Sequence, residues 1–356
     1  MERLAYQRDT LSGTPQEQGS SVSKIKVAIV SVVIIIMAGL FGTRAYNGRG
    51  LHIEKQTRFM MDTYVTISVV GPAKAASAAI NLALDRMQQI DVKFNLLNPD
   101  SPVYAFNNVG TPITDPEIVS LVQTGLDVSR KSEGAFDMTV APLAELWGFY
   151  SKSYRVPEAG EIAGCLGAVG FRHLSLSDGS LSKDNPAVKI DLGGIAKGYA
   201  LAEAVRILKE HKVSSALVDC GGDIYAMGKK GKQFWKVGIR DPRGEDIIGY
   251  VEVEDLAVMG SGDYERFFMQ DGKRYHHIFD PATGYPTEGV IGGVLIHPDP
   301  IIAQAWGKIP FVMGSEMGLK TMESIEGMEV FIVTSSGEKL YSSRSGQPTR
   351  VVLKEQ

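Results

Sequence analysis

The stretch Lys189-Ile190-Asp191-Leu192-Gly193-Gly194-Ile195-Ala196-Lys197-Gly198-Tyr199-Ala200 leaves this chain the least conformational freedom. It reads as a short apolar strand ending in an acid, a glycine pair that turns the backbone, and a helix with a lysine in its first turns. Glycine tolerates positive φ and close backbone approach. A helix N-terminus offers N–H donors and a positive dipole end to an anion. Many such turns only pack a helix on a sheet. This one acquires a ligand only if the rest of the chain completes a site.

With 356 residues the chain has room for one large domain or two modest ones. The net charge of −4 argues against a nucleic-acid surface. Cys165 and Cys220 fit no zinc spacing. They could form a disulfide in an oxidising compartment, but two buried thiols are the expectation.

Residues 1–23 are mostly polar and predict a disordered tail. Val27 to Thr43 is an uncharged run between Lys26 and Arg44, near the short end of the roughly 17–25 residues that span a bilayer. No small-x-small cleavage site follows it cleanly, so a single-pass anchor over residues 24–46 is expected rather than a signal peptide. Basic residues flank it on both sides, so charge leaves the orientation open.

A globular domain is expected over residues 52–356. Thr63 to Val70 alternates like a half-buried strand, and Pro72 to Phe94 carries Ile80, Leu84, Met87 and Ile90 on one helical face. Thr114-Asp115-Pro116-Glu117 and Asp299-Pro300 are helix starts. Residues 234–279 read as successive strands, and further strands lie near Val330 and Leu340. The mixture predicts an α+β domain.

Five stretches concentrate chemistry. They are Gly134-Ala135-Phe136-Asp137-Met138-Thr139-Val140-Ala141-Pro142-Leu143 with the following Leu146-Trp147-Gly148-Phe149, the glycine stretch above, Asp219-Cys220-Gly221-Gly222-Asp223-Ile224, Gly260-Ser261-Gly262-Asp263-Tyr264-Glu265-Arg266, and His276-His277-Ile278-Phe279-Asp280-Pro281-Ala282-Thr283-Gly284-Tyr285-Pro286. Taken singly, glycine pairs make turns and Asp-Pro pairs end strands. In this order and spacing they resemble the FAD:protein FMN transferase (ApbE) family across about residues 58–333.

That resemblance implies an α+β fold related to T-folds and built from related halves. It implies a protein held at, or exported across, the bacterial cytoplasmic membrane, with the globular domain on the extracytoplasmic side. It also implies binding of FAD with Mg²⁺ and transfer of FMN to a Thr or Ser hydroxyl of an acceptor protein. Met61 is then expected against the flavin. Ala135, Phe136, Asp137, Asp191, Lys197 and Asp223 are expected around the dinucleotide, and the Gly194 carbonyl toward the metal. His277 is expected to act on the incoming hydroxyl, with Asp280 orienting it.

The sequence departs from the family at the metal. The family's Asp, optional second acid and Thr fall on Gln304, Gly307 and Lys308. Magnesium prefers hard, charged oxygen ligands, and an ammonium repels it. Asp62 replaces a glycine, Leu97 an aromatic that packs on FAD, and Gly260 a threonine, while Pro310 falls inside an expected helix. Two outcomes follow. Lys308 serves as a built-in cation and transfer survives, or catalysis is lost and the domain persists as an accessory subunit of a membrane complex.

Overall fold

Strand pairing begins at Ile53, two residues into the described chain. The computed structural model describes residues 51–342 and 350–354. The expected tail and anchor, residues 1–23 and 24–46, lie outside the described residues. Among those described, no helix is long and apolar enough to cross a membrane. His52–Gln356 is one compact unit.

Strands β1 (Ile53–Met60) and β2 (Thr63–Val70) form a hairpin, followed by helices α1 (Ala73–Phe94), α2 (Pro102–Asn108), α3 (Pro116–Lys131), α4 (Ala141–Leu146) and α5 (Ala159–Leu166). A small hairpin of β3 (Leu174–Ser177) and β4 (Ser180–Lys183) precedes helix α6 (Ala196–Glu210). Strands β5 (Ala216–Cys220), β6 (Asp223–Met227), β7 (Trp235–Arg240), β8 (Ile247–Val253), β9 (Leu256–Gly262), β10 (Phe267–Gln270), β11 (Lys273–His276) and β12 (Val290–His297) follow. The chain then forms α7 (Pro300–Trp306), α8 (Ile309–Val312), α9 (Ser315–Glu323), β13 (Glu329–Thr334), β14 (Lys339–Tyr341) and β15 (Val351–Leu353).

The main sheet has eight strands in the order β1-β2-β5-β6-β9-β12-β13-β14, with antiparallel neighbours throughout. Successive side chains of its central strands enter different cores. Ala257 and Met259 of β9 and Val330 and Ile332 of β13 join the helices α1, α6 and α7. Val258, Phe331 and Val333 instead meet the three-stranded sheet β15-β8-β7 through Trp235, Val237 and Val251. Burial on both faces erases the polar alternation expected of a half-buried strand, which is why β12 and β13 read as continuous apolar runs.

A third core is aromatic. Trp147 is fully buried against Phe268, Tyr275, Phe279 and Tyr285, and its Nε1–H donates to the Gly284 carbonyl at 3.1 Å. It fastens the Asp280–Gly284 turn to α4. Trp147→Phe leaves that buried carbonyl without its donor. An equilibrium denaturation curve should show a loss of about 1–3 kcal/mol.

The helix starts form as their sequences dictate. Asp115 caps α3 by accepting from Glu117 and Ile118 N–H, and Asp299 caps α7 the same way. Pro310 does not interrupt a helix. The expected single helix ends at Trp306, and a new one begins at Ile309 with Pro310 in its first turn, where a missing N–H costs no intrahelical bond. The break leaves Gly307 and Lys308 between two helices. Both cysteines are free thiols.

Candidate functional site

The glycine stretch is built differently from its sequence reading. Residues 188–191 form no strand. They are extended because buried Asn107 grips Ile190 from both sides, its Nδ2 donating to the Ile190 carbonyl (2.9 Å) and its Oδ1 accepting the Ile190 N–H (2.8 Å). A 3₁₀ turn, Leu192–Gly194, then leads into α6. Gly193 and Gly194 do not take up positive φ. Glycine is needed there for closeness: a Cβ would lie 2.9 Å from Asp191 Oδ1 at Gly193 and 3.0 Å from the Phe136 ring at Gly194.

Asp191 serves this turn. Its Oδ1 accepts the Gly193 N–H (2.7 Å) and its Oδ2 the Tyr150 hydroxyl (2.7 Å). Burial and the neighbouring carboxylate push the Tyr150 pKa well up, so it remains a donor. Asp137 is committed to the protein as well. Its carboxylate accepts from Thr139 N–H, Thr139 Oγ1 and Phe171 N–H at 2.6–2.7 Å. Burial nevertheless raises its pKa. Ala135 and Phe136 are buried beside it. Asn107 and Tyr150 went unnoticed in the sequence, because neither lies near the glycines along the chain.

The sheet register gathers the other turns. Since β2 pairs with β5, with Val65 opposite Cys220, the turn Met61-Asp62 and the turn Gly221-Gly222 emerge side by side. A Cβ at Gly221 would fall 2.2 Å from Thr63 Oγ1. Met61 and Asp62 both have positive φ, 53° and 57°. A two-residue hairpin turn of this kind demands it, and Asp is among the few L-residues that tolerate it. Turn geometry therefore accounts for Asp62 in place of the family's glycine. Met61 Sδ reaches Cys220 Sγ at 4.0 Å.

Asp223, 6 % exposed, opens β6 and pairs with Lys197 at 3.2 Å. Burial opposes the lysine's charge, but Asp223, together with Cys220 and Glu265, outweighs it and holds the lysine above its usual pKa. The register of β9 against β6 and β12 brings Ser261 to the same end of the sheet.

His277 follows β11. Its Nδ1 faces the Arg266 carbonyl at 3.2 Å. A carbonyl only accepts, so Nδ1 carries the proton and Nε2 keeps its lone pair. Burial, then the cations Arg266 and Lys308, push its pKa well below the ordinary imidazole value. Asp280 does not orient it. Its oxygens accept from Ala282 N–H and Thr283 Oγ1, both at 2.9 Å, closing its own turn. The positioning acceptor is instead the Arg266 backbone. His276 is structural, with Nε2 on the Thr287 carbonyl at 2.7 Å.

The helix break completes the site. Lys308 Nζ donates to Ser261 Oγ at 2.8 Å. Burial and the cations Lys197 and Arg266 outweigh Asp223 and Glu265, pulling its pKa down to about 8. Gln304 Oε1 accepts the Gly198 N–H (2.7 Å), and its Nε2 donates to the Gly193 carbonyl (3.2 Å). At Gly307 a Cβ would press on Ser261 Oγ at 3.1 Å, so a larger side chain is disfavoured. An amide, a glycine and an ammonium do not form a hard anionic ligand set. Among the described residues no group of three or more His, Cys, Asp or Glu could hold a metal ion. These residues do not fit a magnesium ion. Leu97 is 55 % exposed on the loop after α1.

Solved structures share this architecture. The ApbE protein of Thermotoga maritima superposes with a TM-score of 0.77 at 36 % identity, covering 82 % of this chain and 97 % of that one. The flavin transferase ApbE of Vibrio cholerae gives 0.75 at 26 % identity, covering 83 % and 98 %. The fold is thus the mixed α/β fold of the ApbE flavin transferases. In sequence, the FAD:protein FMN transferase of Treponema pallidum is 32 % identical over 324 residues, 84 % of this chain and 90 % of that protein. The Escherichia coli K12 enzyme of the same name is 29 % identical over 304 residues. Residues 61–332 match the ApbE family, and the chain belongs to it.

Proposed function

We propose that this chain is an FAD:protein FMN transferase in which Lys308 replaces the divalent metal. The observation that carries this reading is the Lys308 ammonium, standing at a family metal-ligand position and bonded to Ser261 close to the Lys197–Asp223 pair. The acceptor hydroxyl gives its proton to His277 Nε2. Its oxygen attacks the phosphorus of the FMN half of FAD, the bond to the bridging oxygen breaks, and AMP leaves with that oxygen. A neutral imidazole suits the first step. Charge developing on the phosphate oxygens needs cations already in place, and Lys308, Lys197 and Arg266 are cations gathered here. A lysine serves phosphate as a point charge.

Met61, Ala135, Phe136 and Asp191 border the FAD in this reading. Asp191 would have to exchange the Tyr150 hydroxyl for the ligand, or share it. The apolar run Val27–Thr43 anchors the protein in the cytoplasmic membrane, with the domain on the extracytoplasmic side facing an acceptor protein or membrane complex.

The test is an intact-mass measurement on an acceptor peptide bearing Thr or Ser, incubated with the full chain and FAD. An FMN-sized gain that persists in EDTA is the expected result. A gain seen only with added Mg²⁺ overturns the lysine assignment. No gain, with no flavin bound, supports a second reading, a non-catalytic subunit. That reading is favoured by one observation: the Gly193 and Gly198 N–H groups, which could greet a phosphate, are already taken by Asp191 and Gln304.

A further inference from the structure

Helix α6 has no cap of its own. Its N-cap residue, Ile195, has no side chain able to accept from the first-turn N–H groups. The acceptor comes from another helix. Gln304 of α7 reaches the Gly198 N–H with Oε1 at 2.7 Å and, with the other end of the same amide, the Gly193 carbonyl at 3.2 Å. It is 4 % exposed, so both bonds are shielded from water. The two helices press together tightly at this point: a Cβ on Gly198 would fall 2.3 Å from the Pro300 carbonyl. An Asp side chain in place of Gln304 could accept the N–H but could not donate to the carbonyl. Two oxygens would then face one another, an arrangement that calls for a cation between them.

We propose that Gln304 is a positioning residue whose amide bridges the Gly198 N–H and the Gly193 carbonyl, tying the glycine turn to α7 so that the turn is assembled by protein alone. In the ligand-free protein the segment Asp191–Gly198 is therefore ordered without any ion. The consequence for FAD rests on the transferase reading, since a turn already assembled needs no ion to receive the dinucleotide.

Hydrogen exchange on the full chain tests this without requiring turnover. Gln304→Glu is close to isosteric, keeps the acceptor for Gly198 and sets a carboxylate against the Gly193 carbonyl. Exchange of the 191–198 segment should then speed up by about tenfold or more, since a buried hydrogen bond has been replaced by repulsion. The double substitution Gln304→Asp with Lys308→Thr should exchange equally fast in EDTA and slow again in millimolar MgCl₂, while the parent chain responds to neither. A merely structural glutamine gives no such rescue. Parent-like exchange in Gln304→Glu, or Mg²⁺ slowing the parent as much as the double variant, would overturn the proposal. Flavin fluorescence titration separates the two ideas. If the parent binds no FAD the transferase reading fails, while the exchange results still decide the role of Gln304.

Discussion

Replacing His277 with Ala is expected to lower FMN transfer to an acceptor peptide by about 10²–10⁴-fold, the usual worth of a positioned general base. FAD affinity should stay within a few-fold of the parent value. The Nδ1–H is spent on the Arg266 carbonyl, so only Nε2 is available for the incoming hydroxyl. Because burial and the adjacent cations lower this pKa, the neutral base persists to unusually low pH. Transfer should thus hold level as pH falls past the ordinary imidazole value, and decline only below the lowered pKa. A pH profile with its acid limb at the ordinary value would show that another group is the base. Asp280→Asn should leave that profile unmoved, because Asp280 closes its own turn and does not hold the imidazole.

Asp280 shows what sequence can and cannot carry. Asp280 is three residues from His277 and has the right chemistry, but the acceptor that fixes the imidazole is a backbone carbonyl, and every residue has one. The glycine stretch was legible as a constrained turn. Its extended entry reads as a strand in the sequence, because the hydrogen bonds that replace a neighbouring strand come from Asn107, 83 residues away. Helix starts were legible because capping is local, as Asp115 and Asp299 show. Strands β12 and β13 lose their period where both faces are buried. Pro310 correctly marked an irregularity, although only the structure shows that the break turns Lys308 toward Ser261. In the sequence, Gln304 reads as the loss of a ligand. Its two hydrogen bonds show that the substitution also adds a contact that an aspartate could not make.

Lys308→Met should make the ligand-free protein more stable at neutral pH while removing transfer. The ammonium is partly buried, with Lys197 and Arg266 as cationic neighbours and Asp223 and Glu265 as the opposing acids. Its pKa falls from 10.5 to about 8, so the fold disfavours its charge. At 1.36 kcal/mol per unit, discounted for its partial contact with solvent, the cost is about 1–3 kcal/mol. The sign follows from proton counting. Between pH 8 and 10.5 the unfolded chain binds more protons at this site than the folded one, so the parent gains stability as pH rises through that window. Below it the cost is fully present and constant. Denaturation curves of parent and Lys308→Met should therefore differ by about 1–3 kcal/mol at pH 7 and converge toward pH 10.5, the comparison cancelling tyrosines and other lysines common to both. Such a cost is what a cation held ready for phosphate implies, since an anionic ligand entering the site would relieve it. Added FAD should consequently stabilise the parent more than Lys308→Met. Equal stabilisation of the two, or no difference between them without ligand, would mean that Lys308 is a solvated surface charge and not the replacement for a metal.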